Sequence, residues 1–454
     1  MSARPGIISC LGFLLLVGCG GPSPSNHDGR TVIQYWEKWS GFEAQAMAEL
    51  VDRFNREQNA IHVEFLSVSQ IDRKLMLATA GGNPPDVCGM WANELPALAE
   101  NGALTPLDGL MAQTGLDPDR YLDAVLRNMT YRGRTWGLPT TPAASALHIN
   151  SRLAREAGLD PDHPPETIAE LEAWNERLTR RDDDGRLAVL GHIPTEPGWW
   201  RDSFPLAFGA SFWNPADGMT LQTPAMREAF AWIASYPERF GAEALRGWSD
   251  LGGQFASPQN PFFQGRVALV MQGPWMHNFI AKFASPDFEY TVAPFPAAED
   301  SGLPFLTLVG LDVLVIPRGA KHTRAAFTFM RWVNEQQQLE ALNRAHFKFS
   351  PLRETSEDYY PAHPNPHIAL FAGLAAHPEA QVEARLPSYR AFRNDMNQAV
   401  DQVLFGDISI DEALAMVQRR QARRFDRNRD RWEQVGPTRT ATWDRVEQAV
   451  LKQP

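Results

Sequence analysis

The sequence is short of cysteine and of the motifs that mark common enzyme chemistries. Three cysteines in the whole chain cannot make a paired-cysteine zinc site. There is no Gly-x-Ser-x-Gly elbow, no P-loop and no His-Glu-x-x-His. His363 and His367 stand four apart, but Pro364 and Pro366 keep them off a helix, which argues against a metal pair. The acidic run before Gly185 has the wrong spacing for a calcium loop: Arg180 falls at the first ligand position and Gly191 at the closing one. It reads as a turn. Positive charge is also in deficit. A formal net charge of −11 argues against nucleic acid as a partner, because phosphate binding wants a basic surface. No cofactor and no metal are expected.

What is present is tryptophan, 14 residues against 8 tyrosines. Tryptophan offers a large rigid face and one N–H donor, so a stacking surface is in prospect beside the core. At 454 residues the chain exceeds what one core usually holds, which predicts two lobes. Its start is a targeting segment, with Arg4 followed by a short apolar run from Ile7 to Val17. Leu16-Val17-Gly18-Cys19 resembles the bacterial lipoprotein box, in which the cysteine becomes the lipid-modified N-terminus. Residues 1–18 would then be the signal and 19–30 a tether rich in glycine, proline and serine. With Cys10 removed and Cys19 lipidated, Cys88 has no partner for a disulfide within the mature chain. No later stretch is long and apolar enough for a transmembrane helix.

The chain is organised around residues 31–43. Thr31 to Trp36 reads as a buried strand. Ser40 and Glu43 have capping-box spacing, and Met47, Leu50, Val51 and Phe54 repeat on one helical face. A second strand (Ile61, Val63, Phe65), a helix from Ile71 to Ala80 and a third strand from Val87 follow. That order predicts a parallel, doubly wound lobe. Ligands of such sheets sit beyond the carboxyl ends of the strands, where Trp36, Glu37 and Trp39 would lie. Asp86 and Trp91 flank the third strand and join the candidates. Further aromatic loops hold Trp199 and Trp200, Trp213, and Trp275 in Gly273-Pro274-Trp275. Ala326, Phe329, Met330 and Val333 mark a later helix. The tail from Gln418 to Trp432 alternates arginine with aspartate and reads as a solvated helix face, or else as a contact to an anionic membrane or partner.

In order and spacing these stretches resemble family 1 of the extracellular solute-binding proteins, which feed carbohydrate ABC importers; maltose-binding protein is a relative in fold. The resemblance runs from about Thr31 to Val417. It is carried by the opening strand with its tryptophan loop, by residues 80–87 (AGGNPPDV), by Trp136-Gly137-Leu138-Pro139 leading to Leu147-His148-Ile149-Asn150, by residues 263–269 ending in Gly273-Pro274-Trp275, and by Pro294 to Arg318. It implies an α/β fold of two doubly wound lobes joined by a hinge, of the type II periplasmic-binding kind. The lobes would be 31–141 plus 297–350, and 142–296 plus 351–420, with 421–454 a charged helical tail. Crossovers would fall near Pro139–Ala143, Ala293–Ala298 and Phe349–Leu352.

The resemblance also implies site residues and partners. Trp275 would meet a sugar, Asp86 would accept a hydroxyl, and Trp36, Glu37 and Trp39 would form the first cleft loop. Gly310 and Asp312 fall where the family often has paired glycines, with Leu311 in place of the second. Trp199, Trp200 and Trp213 carry over more loosely. The expected protein is a non-enzymatic monomer that binds a sugar, meets ABC permease subunits and is held to a membrane in the cell envelope by its lipid. Sugar rings suit such a site because their C–H faces are apolar and their hydroxyl edges polar. Two alternatives remain at this stage. One is a lipoprotein glycoside hydrolase using Glu37 and Asp86. The other is a binder of a non-sugar solute such as a polyamine or a phosphorylated polyol.

Overall fold

The computed structural model describes residues 29–195, 200–214, 218–249 and 256–452. The leader, Cys19 and Trp199 lie outside the described residues. Strand β1, Thr31–Glu37, turns Ile33, Tyr35 and Glu37 into the core at alternate positions. Helix α1, Gly41–Glu57, buries Met47, Leu50, Val51 and Phe54, the face that the spacing predicts. Ser40 stands at its N-cap but makes no side-chain cap bond. The expected capping box does not form, and the Glu43 carboxylate instead lies 3.8 Å from Lys348. Strand β2, Ile61–Ser67, runs parallel to β1 along its whole length. Helix α2, Ile71–Ala80, leads back to strand β3, Val87–Trp91, parallel to β1 on its other side.

Strand β4, Leu138–Ala144, carries the chain toward a second sheet. There β5, Ala146–Asn150, is central, with β6, Leu269–Gln272, and β7, Tyr290–Ala293, antiparallel on either side. Helix α3, Met276–Phe283, sits between β6 and β7 in the chain. Strand β8, Leu308–Val315, returns to the first sheet, antiparallel to β3 and β4. The short β9, Gln381–Val382, joins its edge. Helices α4, Tyr389–Leu404, and α5, Ile410–Leu451, end the chain. Among the described residues no helix is long and apolar enough to cross a membrane.

Two hydrophobic cores result, one per lobe. The first gathers Tyr35, Leu50, Val313, Phe329 and Phe371; the second gathers Leu147, Phe204, Ile233, Met271, Phe392 and Val417. The chain passes between them after β4, at Leu308–Val309, between Ala380 and Leu386, and once more along α5 between Val417 and Trp443. The sequence placed the second and third of these crossings earlier and did not foresee the fourth. Phe295 and Ala298 stay in the second core because Phe295 bridges back to Leu306 before the chain leaves. Phe349, Leu352, Ile368 and Phe371 all lie in the first core, so residues 351–380, assigned to the second lobe, pack with the first. Residues 418–432 are mostly exposed or half-buried, as a solvated helix face should be, but the tail beyond them is docked. It continues α5, and its Trp443 and Val450 are buried in the first core.

Candidate binding cleft

The carboxyl ends of β1 and β3 open onto a cleft of about 830 Å³ between the lobes. Its floor is an ion-paired cluster from the first lobe. Asp312, on β8, accepts from Lys38 Nζ at 3.0 Å on one oxygen. Its other oxygen accepts from Lys348 Nζ at 3.0 Å and from the Thr141 hydroxyl at 2.7 Å. Lys38 also donates to Glu37, 3.3 Å away. The side chains of Lys38, Asp312 and Lys348 are 4%, 9% and 6% exposed. Burial by itself would raise the Asp312 carboxyl, but Lys38 and Lys348 hold it well below the usual carboxylate range. Burial would likewise lower the Lys38 ammonium, yet Asp312 and Glu37 raise it above its ordinary value. Lys38 and Asp312 are thereby held in their charged forms, a fixed donor and acceptor in the floor.

Aromatic faces line the remainder. The Lys38 ammonium lies 4.5 Å from the centre of the Trp39 ring and 5.4 Å from that of Trp91. Trp91 is 46% exposed. From the second lobe, Trp200 and Trp275 meet at 5.6 Å with a tilt of 47°. Helix α4 presents Arg390, Arg393, Asn394 and Asn397 to the cleft, at i, i+3, i+4 and i+7. Arg390 reaches across to the first lobe, to Asp72 at 2.5 Å and Glu94 at 2.7 Å. Beside it the Tyr389 hydroxyl stands between the buried carboxyl of Asp202, 3.3 Å away, and the half-buried carboxyl of Glu383, 3.2 Å away. Burial pushes Asp202 up to about 7; Arg393 opposes that shift and Glu383 adds to it.

Of the residues that the sequence nominated, Trp39, Trp91, Trp200, Trp275, Gly310 and Asp312 line this cleft. Four others do not. Trp36 packs on the first core. Glu37 is fully buried: it is the last inward residue of β1, and it accepts from the Tyr35 hydroxyl at 2.5 Å and the Lys38 amide at 2.7 Å. Gly89 of β3 has no Cβ to collide with that carboxylate. The cleft loop begins at Lys38, two residues after Trp36, where the sequence reading started it. Asp86 lies before β3, at the strand end away from the cleft. Both its oxygens are taken by backbone amides, Gln34 at 3.0 Å and His322 at 2.8 Å. Glu37 and Asp86 therefore cannot flank a glycosidic bond. Trp213 packs against Phe425 of α5 at 5.8 Å.

The sequence reading missed Lys38, Lys348, Thr141 and the polar face of α4. Lys38 had a findable signal, being the one cation inside the tryptophan loop. Lys348 and Thr141 had none, since only packing brings them to Asp312. The spacing of Arg390 to Asn397 is that of any solvated helix face.

Compared with known proteins, residues 40–339 match the family model of the bacterial extracellular solute-binding proteins. The arabinooligosaccharide-binding protein of Bacillus subtilis is 20% identical over 358 residues, 76% of this chain and 79% of that protein. Among solved structures, CpMnBP1 with mannotriose bound is 26% identical with a TM-score of 0.75, covering 87% of this chain and 100% of that one. The sugar-binding protein MalE of Xanthomonas citri is 22% identical with a TM-score of 0.74, covering 89% of this chain and 100% of that one.

Proposed function

The chain belongs to the bacterial extracellular solute-binding proteins, and from that premise we propose that it is the substrate-binding component of an ABC importer, taking a sugar or oligosaccharide into the cleft and handing it to a membrane permease. Its fold is the type II, maltose-binding-protein-like one. The observation that carries the proposal is the joining of two kinds of surface in one cleft: an ion-paired floor of Lys38, Asp312 and Lys348 beside the Trp200–Trp275 pair, with Lys348 Nζ 5.9 Å from the centre of the Trp275 ring. A pyranose has polar edges for the first and apolar C–H faces for the second. Charged partners make the stronger hydrogen bonds to hydroxyls. The names of the similar proteins, which speak of arabino-oligosaccharide and mannotriose, support the same class of ligand. Trp39, Trp91, Trp200, Trp275, Gly310 and Asp312 are the proposed ligand-facing residues, joined by Lys38, Lys348 and Arg390.

No catalysis is part of this proposal. The two carboxylates that a hydrolase would need, Glu37 and Asp86, are committed to structural bonds. The proposal includes a lipid anchor at Cys19, a monomer, and a place in the cell envelope facing outward. Release to a permease asks only that open and closed states differ by a few kcal/mol.

The test is a screen of the mature chain against mannotriose, maltotriose, arabinotriose, their monosaccharides, glycerol 3-phosphate and spermidine. Thermal midpoint, tryptophan fluorescence and product analysis are read on the same samples. The expected result is a concentration-dependent rise in midpoint with one or more oligosaccharides, a fluorescence change, and intact sugar at the end. Cleaved sugar would sink the non-enzymatic reading. A response to spermidine or glycerol 3-phosphate alone would move the protein to a different solute.

A further inference from the structure

Helix α5 is 42 residues long, about 63 Å at 1.5 Å per residue, and its two ends belong to different lobes. Near its start Ala413, Leu414 and Val417 are buried in the second core. One turn on, Gln421 donates to Asp395 of α4 at 2.6 Å, Arg420 donates to the same carboxylate at 3.1 Å, and Arg424 also pairs with it. At the other end Trp443 and Val450 are buried in the first core, with Trp443 edge-on to Trp136 at 4.8 Å. Glu447 accepts from the Gly109 amide at 2.5 Å and from Arg134 at 3.0 Å. Arg324 donates to the Leu451 carbonyl at 2.7 Å.

Between the two docks the helix carries its own weak point. Pro437 lacks an N–H and cannot close the helical bond to residue 433. The indole of Trp432 lies over Gly436, where a Cβ would meet ring atoms at 2.8 and 2.9 Å. It stacks on Trp443 at 5.4 Å and takes the Arg132 guanidinium at 3.8 Å. The interrupted stretch is thus splinted by aromatic rings, and the splint is fixed to the first lobe.

We propose that α5 is a strap that couples the lobes from behind α4 and governs how far the cleft opens, with release of its first-lobe end accompanying opening. The face of α4 that holds Asp395 is the one away from Arg390, Asn394 and Asn397, so the strap grips the rear of a helix whose front lines the cleft. A helix cannot stretch. Rotation of one lobe against the other must therefore bend α5 at Gly436–Pro437 or lift its Trp432–Leu451 segment from the first lobe. In the arrangement described here both docks are made while Arg390 reaches across the cleft, so the docked strap favours the closed form. The inference rests on the lobe-closing role proposed above, but it is tested without ligand.

Small-angle scattering of the ligand-free protein decides it. In Arg134→Gln/Glu447→Gln the first-lobe dock is weakened. Hydrogen exchange over residues 438–451 should then rise at least tenfold while residues 410–425 keep their protection. The radius of gyration should rise above the wild-type value, roughly 22 Å for a compact chain of this length. Faster exchange with an unchanged radius would overturn the proposal. A second variant guards against misfolding. A Cβ at position 109 would lie 3.0 Å from the Glu447 Cγ, close enough for a disulfide in Gly109→Cys/Glu447→Cys. The oxidised form should scatter with a smaller radius than the same protein reduced, and equal radii would also overturn it. Because no sugar is added, failure of the carbohydrate screen leaves both outcomes readable.

Discussion

On the first lobe the cleft is lined by charge held in place, with Trp39 and Trp91 beside it: Lys38, Asp312 and Lys348 pair within 3.0 Å and are almost wholly buried. On the second it is lined by two tilted indoles and by long side chains from one face of α4. The first wall is preorganised, since every ammonium and carboxylate in it already has a partner. The second is adaptable, since Arg390 is 58% exposed and its bonds cross the gap between lobes. A ligand in such a cleft would be oriented by the rigid wall and enclosed by the adaptable one. On the proposed function, specificity for hydroxyl positions would then belong to the first lobe, and closure to the second.

The largest expected effect tests the rigidity of the first wall. Asp312→Asn leaves two buried ammoniums short of a counter-charge, and breaking a buried ion pair costs about 3–5 kcal/mol. Urea denaturation of wild type and variant measures it; a loss under about 1 kcal/mol would mean that the floor is solvated and the contrast between walls is false. Next comes Trp275→Ala on the second wall. It should weaken the best-responding sugar by about 2 kcal/mol, roughly thirtyfold in Kd by titration calorimetry, while the urea midpoint moves far less than for Asp312→Asn. Equal losses of affinity and stability would make Trp275 a core residue rather than a ligand platform.

A third prediction uses pH. The folded pKa of Asp202, about 7, lies above its ordinary 3.8. The stability that its proton provides is therefore full below pH 4 and is lost as pH rises through about 7. The first wall has the opposite sign: the lowered Asp312 contributes above its ordinary value and loses that contribution only in acid. Denaturation curves between pH 5 and pH 8 should show stability falling with pH in wild type and a flatter profile in Asp202→Asn. Identical slopes would remove Asp202 as the cause. The smallest effect is expected for Arg390→Gln. Its own side chain is 58% exposed, although Asp72 and Glu94 are half-buried, so global stability should change by less than about 1 kcal/mol. A larger change would place Arg390 among the structural residues and leave the second wall no more adaptable than the first.

Much of the first lobe was legible from local pattern. The strand expected at Thr31–Trp36, the helical face from Met47 to Phe54 and the helix Ile71–Ala80 all appear, although the strand buries alternate residues rather than its whole length. The tryptophan loop does lie at the carboxyl end of β1, but the strand runs to Glu37, one residue past its expected end at Trp36. A strand continues for as long as its inward positions find partners, and Glu37 found one in Tyr35. Asp86 was misjudged for a related reason: Pro84-Pro85-Asp86-Val87 identifies a strand start, and strand starts point away from a ligand edge.

The sequence by itself determined the α/β class, the wound start of the first lobe and the supply of tryptophans and carboxylates, because those follow from periodicities of two and 3.6 residues and from short turn and cap signals. Which of those residues face the cleft, where the chain crosses between lobes, and that the helix carrying the arginine-rich face runs on to bury Trp443 and Val450 in the first core follow only from tertiary packing. Lys38, Asp312 and Lys348 are brought together across hundreds of residues by the return of β8 between β3 and β4. Trp443 reaches Trp136 only because α5 is long enough to return to the first lobe. Such pairings depend on packing between distant elements, and no local pattern encodes them.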